Sequence, residues 1–371
     1  MKIVYYIFLL LSVFIIISCN DKNSFILHGN IEGLQNSELY IVSGENLLVD
    51  TVRAKSGKFT YRGVSQTVEP LLIYVQNKNT GITIWVKNGE KYSLTGDVNH
   101  CEAIIVKGGS INTILTEFKT EHLLLIKEKC ELREKLSTYT EQHTEPNTNN
   151  NYSELVSQLK NVNQALKTHA QDFIETHSSS IAALVLIQNY ILDIENASNI
   201  QHFLDIVSDE VKTNPLYEQL QLFCMKDLQT KAGQPALNFM VKDTKNDSIG
   251  LVTFKDKYLI LAFASSFCEL CESEYNELLA IQNNFPEKEL AILTISIDEN
   301  KEDWNKLARE KGINWIQVID STGWASEMVS LYNVMTIPCN FLIDKNGMII
   351  GSKLRPDSIQ AILKEKLRTK N

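Results

Sequence analysis

The sequence predicts an antiparallel β-sandwich, then an α-helical region, then an α/β domain with helices on both faces of a central sheet. Three observations predict this order. Short β-branched and aromatic runs separated by turn residues fill residues 25–108. Apolar residues then recur at helical spacing through 110–230, and strand and helix patterns alternate through 233–371. A chain of 371 residues has room for two or three such domains.

The composition is that of a globular protein. Apolar residues make up 44% and charged residues 22%, which argues against a disordered or collagen-like chain. The 36 basic and 45 acidic residues leave a net charge of −9. This charge disfavours a nucleic-acid partner, because phosphate binding needs a basic surface. Seven cysteines in 371 residues are too few for a disulfide-built scaffold, so any disulfide chemistry must be local.

The N-terminus has the layout of an export signal. Lys2 precedes an uncharged run that ends at Ser18, and this run is shorter than the ~20 residues that span a bilayer. Ile16–Cys19 resembles the lipobox of bacterial lipoproteins, in which the chain is cut before the Cys and that Cys is lipidated. We therefore expect a signal peptide over 1–18, lipidation of Cys19, and a protein anchored in the cell envelope that faces the periplasm. The alternatives are an ordinary signal peptide and a short uncleaved anchor.

The first folded part has the pattern of short strands. The runs are Phe25–Leu27, Leu39–Val42, Phe59–Arg62, Leu71–Val75 and Ile82–Val86. Turn signals such as Ser56–Lys58 and Asn88–Gly89 separate them. The pattern resembles the β-rich domain of unknown function that precedes thioredoxin-like domains in many bacterial lipoproteins. That resemblance implies no known chemistry.

The middle region changes to helical spacing. Ile111, Ile114 and Phe118 lie on one helical stripe, and a second stripe runs from Leu155 to Phe173. We interpret both stripes as packing faces. No metal or cofactor constellation is visible in this region.

The last part alternates strands and helices after Gly233–Pro235 breaks the helical pattern. Tyr258–Phe263 and Leu290–Ile297 are continuous apolar runs, typical of strands buried on both faces. A helix that ends before Pro286 lies between them. A strand at Trp315–Ile319, a helix around Met328, a hairpin around Asp344–Gly347 and a terminal helix through Ile359 complete the pattern.

Cys268 and Cys271 lie where the first buried strand gives way to a helix. Their spacing brings both sulfurs within disulfide reach across the first helical turn. Cys268 is expected at the helix N-terminus, where unpaired N–H groups and the helix dipole favour a negative charge. Such a thiol can have a pKa of roughly 3.5–7.5 instead of ~8.5, which makes it a nucleophile at neutral pH. Cys271, one turn further, is expected to be more buried and to resolve a mixed disulfide.

The Cys268–Cys271 motif, followed by Ile337-Pro338 and Phe341–Asp344, resembles the thioredoxin fold. It is most similar to the TlpA/ResA-like branch of membrane-anchored thiol–disulfide oxidoreductases, which is often labelled AhpC/TSA-like. The resemblance covers residues 233–371.

The resemblance implies a role for each of the motif residues. Cys268 and Cys271 would form the redox-active disulfide, with no other cofactor. Pro338 would be cis beside this disulfide, and Ile337 and Pro338 would shape the surface on which clients dock. Glu274 matches the carboxylate that helps move protons during exchange. The implied partners are protein substrates with disulfides, cytochrome maturation clients being one possibility, and an electron donor in the membrane.

The sequence departs from the family pattern at three positions. Thioredoxin has a buried Asp at the position of Ala262, so proton handling would fall on Glu274. Phe267 stands where the family usually has Trp. Cys339 follows the proline where Thr is frequent, and we expect an inert core thiol there rather than a competing bond.

Acidic residues around the motif oppose thiolate formation. Glu269, Glu272 and Glu274 all lie close to the two cysteines in sequence. A less acidic nucleophile fits a reductase better than an oxidase, because a strong oxidant stabilises its reduced thiolate.

The motif has four alternative interpretations. A structural zinc site needs four N or S ligands, and no His follows His202, so a metal is not expected. A static disulfide is a second alternative. A peroxiredoxin-type peroxidase is a third: Ser265 fits its motif, but Leu261 replaces the proline that shapes the peroxide pocket. A non-catalytic binding protein on a thioredoxin scaffold is the fourth. The remaining thiols are expected to be core residues or a pair; they are Cys101, Cys130 and Cys224.

Overall fold

The computed structural model describes residues 22–43, 48–76, 78, 81–142, 150–193 and 196–368. The predicted signal peptide and Cys19 lie outside these residues, so both assignments stay predictions. The chain divides into two compact units, one up to Phe173 and one from Ile174 onward. The predicted helical region 110–230 is therefore shared between the two units. Within the described ranges, no helix combines the length and apolar character that crossing a bilayer would need.

The first unit contains a β-sandwich of two four-stranded sheets. Its strands are β1 (Phe25–Glu32), β2 (Glu38–Ser43), β3 (Leu48–Arg53), β4 (Lys58–Gly63), β5 (Glu69–Val75), β6 (Gly81–Val86), β7 (Lys91–Asp97) and β8 (Ile105–Lys107). The strand orders are β4-β1-β7-β8 and β3-β2-β5-β6. Residues from both sheets, such as Leu27, Ile41, Ile73 and Leu94, are buried in one common core. The predicted sandwich is confirmed.

Two features of the sandwich differ from the sequence prediction. The strands pair antiparallel except β1 and β7, which run parallel with Ile26 opposite Lys91. The sequence reasoning also missed β3, β7 and β8. β3 forms one edge of its sheet and is mostly exposed, so it has no apolar alternation to detect. β7 buries only Tyr92 and Leu94, and polar residues stand between and around them.

Helices follow the sandwich and continue into the second unit. They are α1 (Ser110–Glu121), α2 (Leu123–Gln142), α3 (Asn150–Thr176), α4 (Ile181–Leu186), α5 (Gln201–Ile206), α6 (Asp209–Lys212) and α7 (Pro215–Gln229). Phe118 and Phe173 of the two predicted stripes meet edge to face, with ring centroids 5.4 Å apart. This contact supports the interpretation of the stripes as packing faces. α4 runs directly into a π-helical turn at Ile187–Ile191.

The second unit ends in an α/β domain around a five-stranded sheet. Its strands are β9 (Met240–Lys242), β10 (Ser248–Gly250), β11 (Tyr258–Ala264), β12 (Leu290–Ser296), β13 (Ile316–Ile319), β14 (Cys339–Ile343) and β15 (Ile349–Ser352). Its helices are α8 (Glu269–Asn284), α9 (Lys301–Lys311), α10 (Glu327–Leu331) and α11 (Pro356–Arg368). The sheet order is β13-β12-β11-β14-β15, and β9 pairs with β10 in a separate hairpin that the sequence reasoning missed.

Side-chain alternation along β11 builds a core on each face of the sheet. Leu259, Leu261 and Phe263 point to the face covered by α10 and the β9–β10 hairpin. Ile260 and Ala262 point to the face covered by α8, α9 and α11. Both faces of β11 are buried, as its continuous apolar sequence predicts. Because β11, β12 and β13 are parallel, their carboxyl ends lie at one edge of the sheet.

The Phe263→Ala variant tests the importance of the first of these cores. The Phe263 ring is fully buried, and its centroid lies 6.0 Å from the ring of Tyr332 and 6.1 Å from that of Phe341. We expect urea unfolding to show a loss of about 3–5 kcal/mol in the free energy of unfolding, because a cavity remains. The exposed Val252 supplies a control, and V252A should change that free energy by less than about 0.5 kcal/mol. A loss for F263A as small as that of the control would contradict this view of the core.

Candidate active site

The two cysteines of the motif lie at the junction of β11 and α8. β11 ends at Ala264 and α8 begins at Glu269, so the connection is only four residues long. Cys268 is the N-cap of α8, with extended backbone angles of φ −99° and ψ 102°. Its Sγ accepts a hydrogen bond from the backbone N–H of Cys271, with a sulfur–nitrogen distance of 3.1 Å. The sulfur of Cys268 therefore stands at the positive end of the helix dipole.

Cys268 and Cys271 form a disulfide in this structure, with their Cα atoms 5.2 Å apart. The two sulfurs are not equivalent. Cys271 is fully buried, whereas Cys268 is partly exposed. A client molecule can approach only the residue that solvent reaches, so Cys268 is the accessible member of the pair.

The segment before β14 carries the second part of the motif. The Ile337–Pro338 peptide is cis, as the family resemblance implied. Ile337 packs against the same core as Cys268. Apolar side chains on both segments are exposed, with Phe267 at 66%, Leu270 at 68% and Met335 at 48% of their full accessible area. These three side chains give the chain exposed apolar surface in the segments that carry the motif.

A groove of about 570 Å³ runs beside α8. Leu270 and Glu274 line its α8 side, and Pro338 lines it on the segment before β14. Lys353 and Arg355, which follow β15, contribute positive charge to the same groove. The structure therefore brings the predicted residues Glu274 and Pro338 to one concave surface.

Glu274 lies one helical turn after Cys271 on α8, so the two side chains share a helix face. Burial raises the pKa of the Glu274 carboxyl above its ordinary value. A hydrogen bond from the Asn340 amide to Oε1, 2.9 Å long, lowers that pKa, and the nearby Glu277 raises it. A raised pKa makes the carboxylate a better proton acceptor than an ordinary glutamate. The sequence reasoning missed Asn340, because nothing in its local pattern links it to α8.

The other acidic residues of the helix start are less able to oppose a thiolate than their number suggests. Glu272 forms an ion pair with Lys311 of α9. Glu269 is exposed to solvent, which screens its charge. These acidic residues therefore weaken the acidity of the Cys268 thiol less than the sequence suggests. The direction of electron flow stays a prediction.

A buried carboxylate holds the connection between β11 and α8. Asp298 follows β12, is only 3% exposed, and accepts the backbone N–H of Ser266 at 3.1 and 3.0 Å. It also accepts the hydroxyls of Ser266 and Ser296. The sequence reasoning missed this residue. Its position at the carboxyl end of a parallel strand is the signal that could have identified it.

The remaining thiols do not join the pair. Cys339 is buried, and burial raises the pKa of its thiol to about 12. At neutral pH it is therefore a protonated thiol, in line with the inert core residue expected from sequence. Cys101, Cys130 and Cys224 form no disulfide with one another. Among the described residues, no group of three or more His, Cys, Asp or Glu side chains is placed to hold a metal ion.

Two family models match this chain. Residues 232–352 match the AhpC/TSA family. Residues 25–115 match a family described as a domain of unknown function, DUF4369. The second match agrees with the resemblance of the β-sandwich to such a domain.

Curated relatives match the same C-terminal part. Thiol-disulfide oxidoreductase ResA of Bacillus thuringiensis subsp. konkukian is 28% identical over 148 residues, which is 40% of this chain and 83% of that protein. ResA of Bacillus subtilis is 26% identical over 118 residues, which is 32% of this chain and 64% of that protein. The C-terminal domain is a TlpA/ResA-like thioredoxin-fold domain. The chain is thus an oxidoreductase.

Solved structures similar to the oxidoreductase domain include the thioredoxin domain of a thiol-disulfide oxidoreductase from Bacteroides vulgatus. It is 29% identical, with a TM-score of 0.34, and the match covers 36% of this chain and 96% of that one. A thioredoxin-like protein from Bacteroides caccae is 17% identical, with a TM-score of 0.43, and covers 57% of this chain and 82% of that one.

The Asp298→Ala variant tests the anchor of the active-site connection. Removal of the carboxylate leaves the partly buried N–H of Ser266 and the hydroxyls of Ser266 and Ser296 without this acceptor. We expect a loss of about 3 kcal/mol in the free energy of unfolding, measured with urea. D298N keeps one acceptor oxygen and should lose less. Equal stability of D298A and the unaltered protein would show that Asp298 does not hold this connection.

Proposed function

We propose that the chain is a lipid-anchored, extracytoplasmic thiol–disulfide oxidoreductase that reduces protein disulfides through Cys268 and Cys271. The observation that carries this proposal is the asymmetry of the pair. One sulfur is partly exposed at a helix N-terminus, and the other is buried one turn behind it. The class of reaction agrees with the names of the ResA relatives.

The reaction starts from the reduced pair. The Cys268 thiolate attacks one sulfur of a client disulfide, a mixed disulfide forms, and the other client sulfur leaves as a thiolate. Cys271 then loses its proton, and its thiolate attacks the Cys268 sulfur. The Cys268–Cys271 bond forms and the second client sulfur leaves. Two electrons pass to the client, and the pair ends as the disulfide that the structure contains.

Glu274 takes the proton of Cys271 in the second step. It lies one turn from Cys271 on the same helix, and its raised pKa suits a group that accepts and returns protons. Ile337 packs against the same core as Cys268, and Pro338 lines the groove beside α8 together with Leu270. With the exposed Phe267, these residues form the surface on which the client chain docks.

The oxidised pair needs two electrons before another turnover. The periplasm holds no pool of soluble nicotinamide reductant, so the proposed source is a dithiol electron donor in the membrane. A lipid on Cys19 would hold the enzyme near such a donor, and each buried CH₂ contributes ~0.8 kcal/mol to that attachment.

The surroundings of the motif are less suited to a peroxidase. Leu261, which replaces the peroxiredoxin proline, is fully buried in the core on the α10 side of the sheet. Ser265 is also fully buried. A peroxide pocket needs both positions open to the reactive sulfur. Steady consumption of peroxide with excess dithiol would favour that alternative.

Cysteine variants test the proposed reaction. In Cys271→Ser the mixed disulfide cannot be resolved, so we expect client proteins to remain bound to Cys268 through a bond that dithiothreitol breaks. Insulin reduction by the unaltered protein should exceed the uncatalysed rate, and C268S should return it to that rate.

The buried thiol of the same domain supplies the matched control for these variants. C339S should trap no clients and should keep insulin reduction unchanged. Failure of C271S to capture any protein in cells, together with no insulin reduction by the unaltered protein, would overturn the proposed function.

Cys19→Ala tests the lipid anchor separately. Without the thiol that carries the lipid, the protein should move from the membrane fraction to the soluble extracytoplasmic fraction and should no longer incorporate labelled palmitate. Insulin reduction by the purified variant should not change, because the pair is intact. Continued labelling and membrane retention of C19A would contradict the assignment of Cys19.

A further inference from the structure

We propose that Asn340 is a positioning residue that fixes the Glu274 carboxylate through Oε1 and leaves Oε2 as the oxygen that exchanges the proton with Cys271. This inference rests on the proposed function, and it assigns a role to a residue that the motif does not include.

Asn340 lies in the middle of the sheet, on the face that α8 covers. It is the second residue of β14, is only 3% exposed, and stands opposite Ala262 of β11. Ala262 and Leu342 both belong to the core on the α8 side, so Asn340 points to that side as well. The small side chain of Ala262 leaves room beside β11 for the amide and for the carboxylate that it contacts.

The amide of Asn340 has little freedom to turn. Its Nδ2 donates to Oε1 of Glu274 at 2.9 Å and to the backbone carbonyl of Leu354 at 2.8 Å. Its Oδ1 accepts the backbone N–H of Leu354 at 3.0 Å. A flipped amide would place its oxygen against two acceptors, so these partners determine the orientation. Both N–H groups are therefore used, one of them on the carboxylate.

The same residue also holds the chain that faces α8 across the groove. The backbone carbonyl of Asn340 accepts the N–H of Lys353 at 2.7 Å. Lys353 and Leu354 line the groove together with Glu274. Asn340 thus joins β14, the segment after β15 and α8 at one buried point, and the carboxylate is held from a fixed element.

A neutral donor is well suited to a carboxyl that must change charge. An amide N–H donates to the carboxylate, and it can also donate to the carbonyl oxygen of the protonated acid. Oε1 therefore stays in place in both states, and Oε2 takes and returns the proton. Lys353 lines the same groove, but its Nζ lies 3.9 Å from Oδ1 of Asp227 on α7, and this ion pair partly neutralises its charge.

Other titratable and charged groups surround the groove. They are Glu277 on α8, Cys339 on β14, Lys353 and Arg355 on the segment after β15, and Asp357 at the start of α11. Variants of Asn340 leave all of them in place, so changes in pH dependence can be assigned to the missing amide.

The test follows the rate of the Cys271 step against pH, measured as client release from a preformed mixed disulfide on Cys268. Glu274 must be ionised to accept the proton, so the rate falls as pH falls through its pKa. Asn340→Leu removes the donor that stabilises the carboxylate. We call the fall in rate at low pH the acid limb of the profile. In N340L we expect its midpoint to move to higher pH by about one unit. N340D places a second carboxyl there and should move it further.

A double variant separates positioning from a general structural effect. Glu274→Gln should remove the acid limb, and N340L in that background should cause no further change in the pH profile. Asn112 is a matched control, because it is buried and bridges backbone groups in the same way. N112L should lower stability without moving the acid limb. If N340L destabilises the fold too far, the pKa of Glu274 measured by ¹³C NMR in N340D keeps the test decisive.

The outcomes distinguish this inference from the proposed function. An unmoved acid limb in both N340L and N340D, or an equal effect of N340L with and without Glu274, overturns the role of Asn340 alone. If E274Q keeps the acid limb while C268S is inactive, the role of Glu274 fails as well, but the dithiol reaction stands. Inactivity of the unaltered protein overturns the proposed function itself.

Discussion

The site depends on one hydrogen bond at the start of α8, in which the sulfur of Cys268 accepts the backbone N–H of Cys271. Cys268 caps the helix, so its sulfur lies where unpaired N–H groups and the dipole favour negative charge. This placement requires the chain to pass from a strand buried on both faces to a helix within four residues. Asp298 makes that passage possible, because it satisfies the polar groups of Ser266 that the tight connection would otherwise leave buried without acceptors.

The groups proposed to carry the electrons and the proton are held by different elements. The two sulfurs belong to the start of α8, whereas the carboxylate of Glu274 is held by Asn340 on β14. β14 also continues from the cis Ile337–Pro338 segment, in which Ile337 packs against the same core as Cys268. One strand therefore connects the proposed docking surface with Glu274, the proposed proton acceptor. A displacement of that strand would affect client binding and proton transfer together.

Much of this arrangement was predictable from the sequence, and the exceptions have physical causes. The apolar runs of β11 and β12 and the spacing of Cys268 and Cys271 are local signals, so the strand–motif–helix order followed from them. Asp298 and Asn340 act through partners that are distant in sequence, and each is a polar residue next to or inside a buried strand. Periodicity cannot show which buried polar residue has a partner. The exposed edge strand β3 was missed for the opposite reason, since it buries too little to leave a pattern.

The parallel pairing of β1 with β7 has a consequence for biogenesis. β1 is the first strand of its sheet in the sequence, and its parallel partner β7 follows only after five intervening strands. Non-local pairing of this kind forms slowly, because the chain loses entropy when a long loop closes, before the strand contacts can offset that loss. During synthesis on the ribosome, the amino-terminal sheet stays incomplete until β8, which ends at Lys107, has emerged. For the export that we propose, a chain that folds late stays unfolded long enough to pass through a translocation channel.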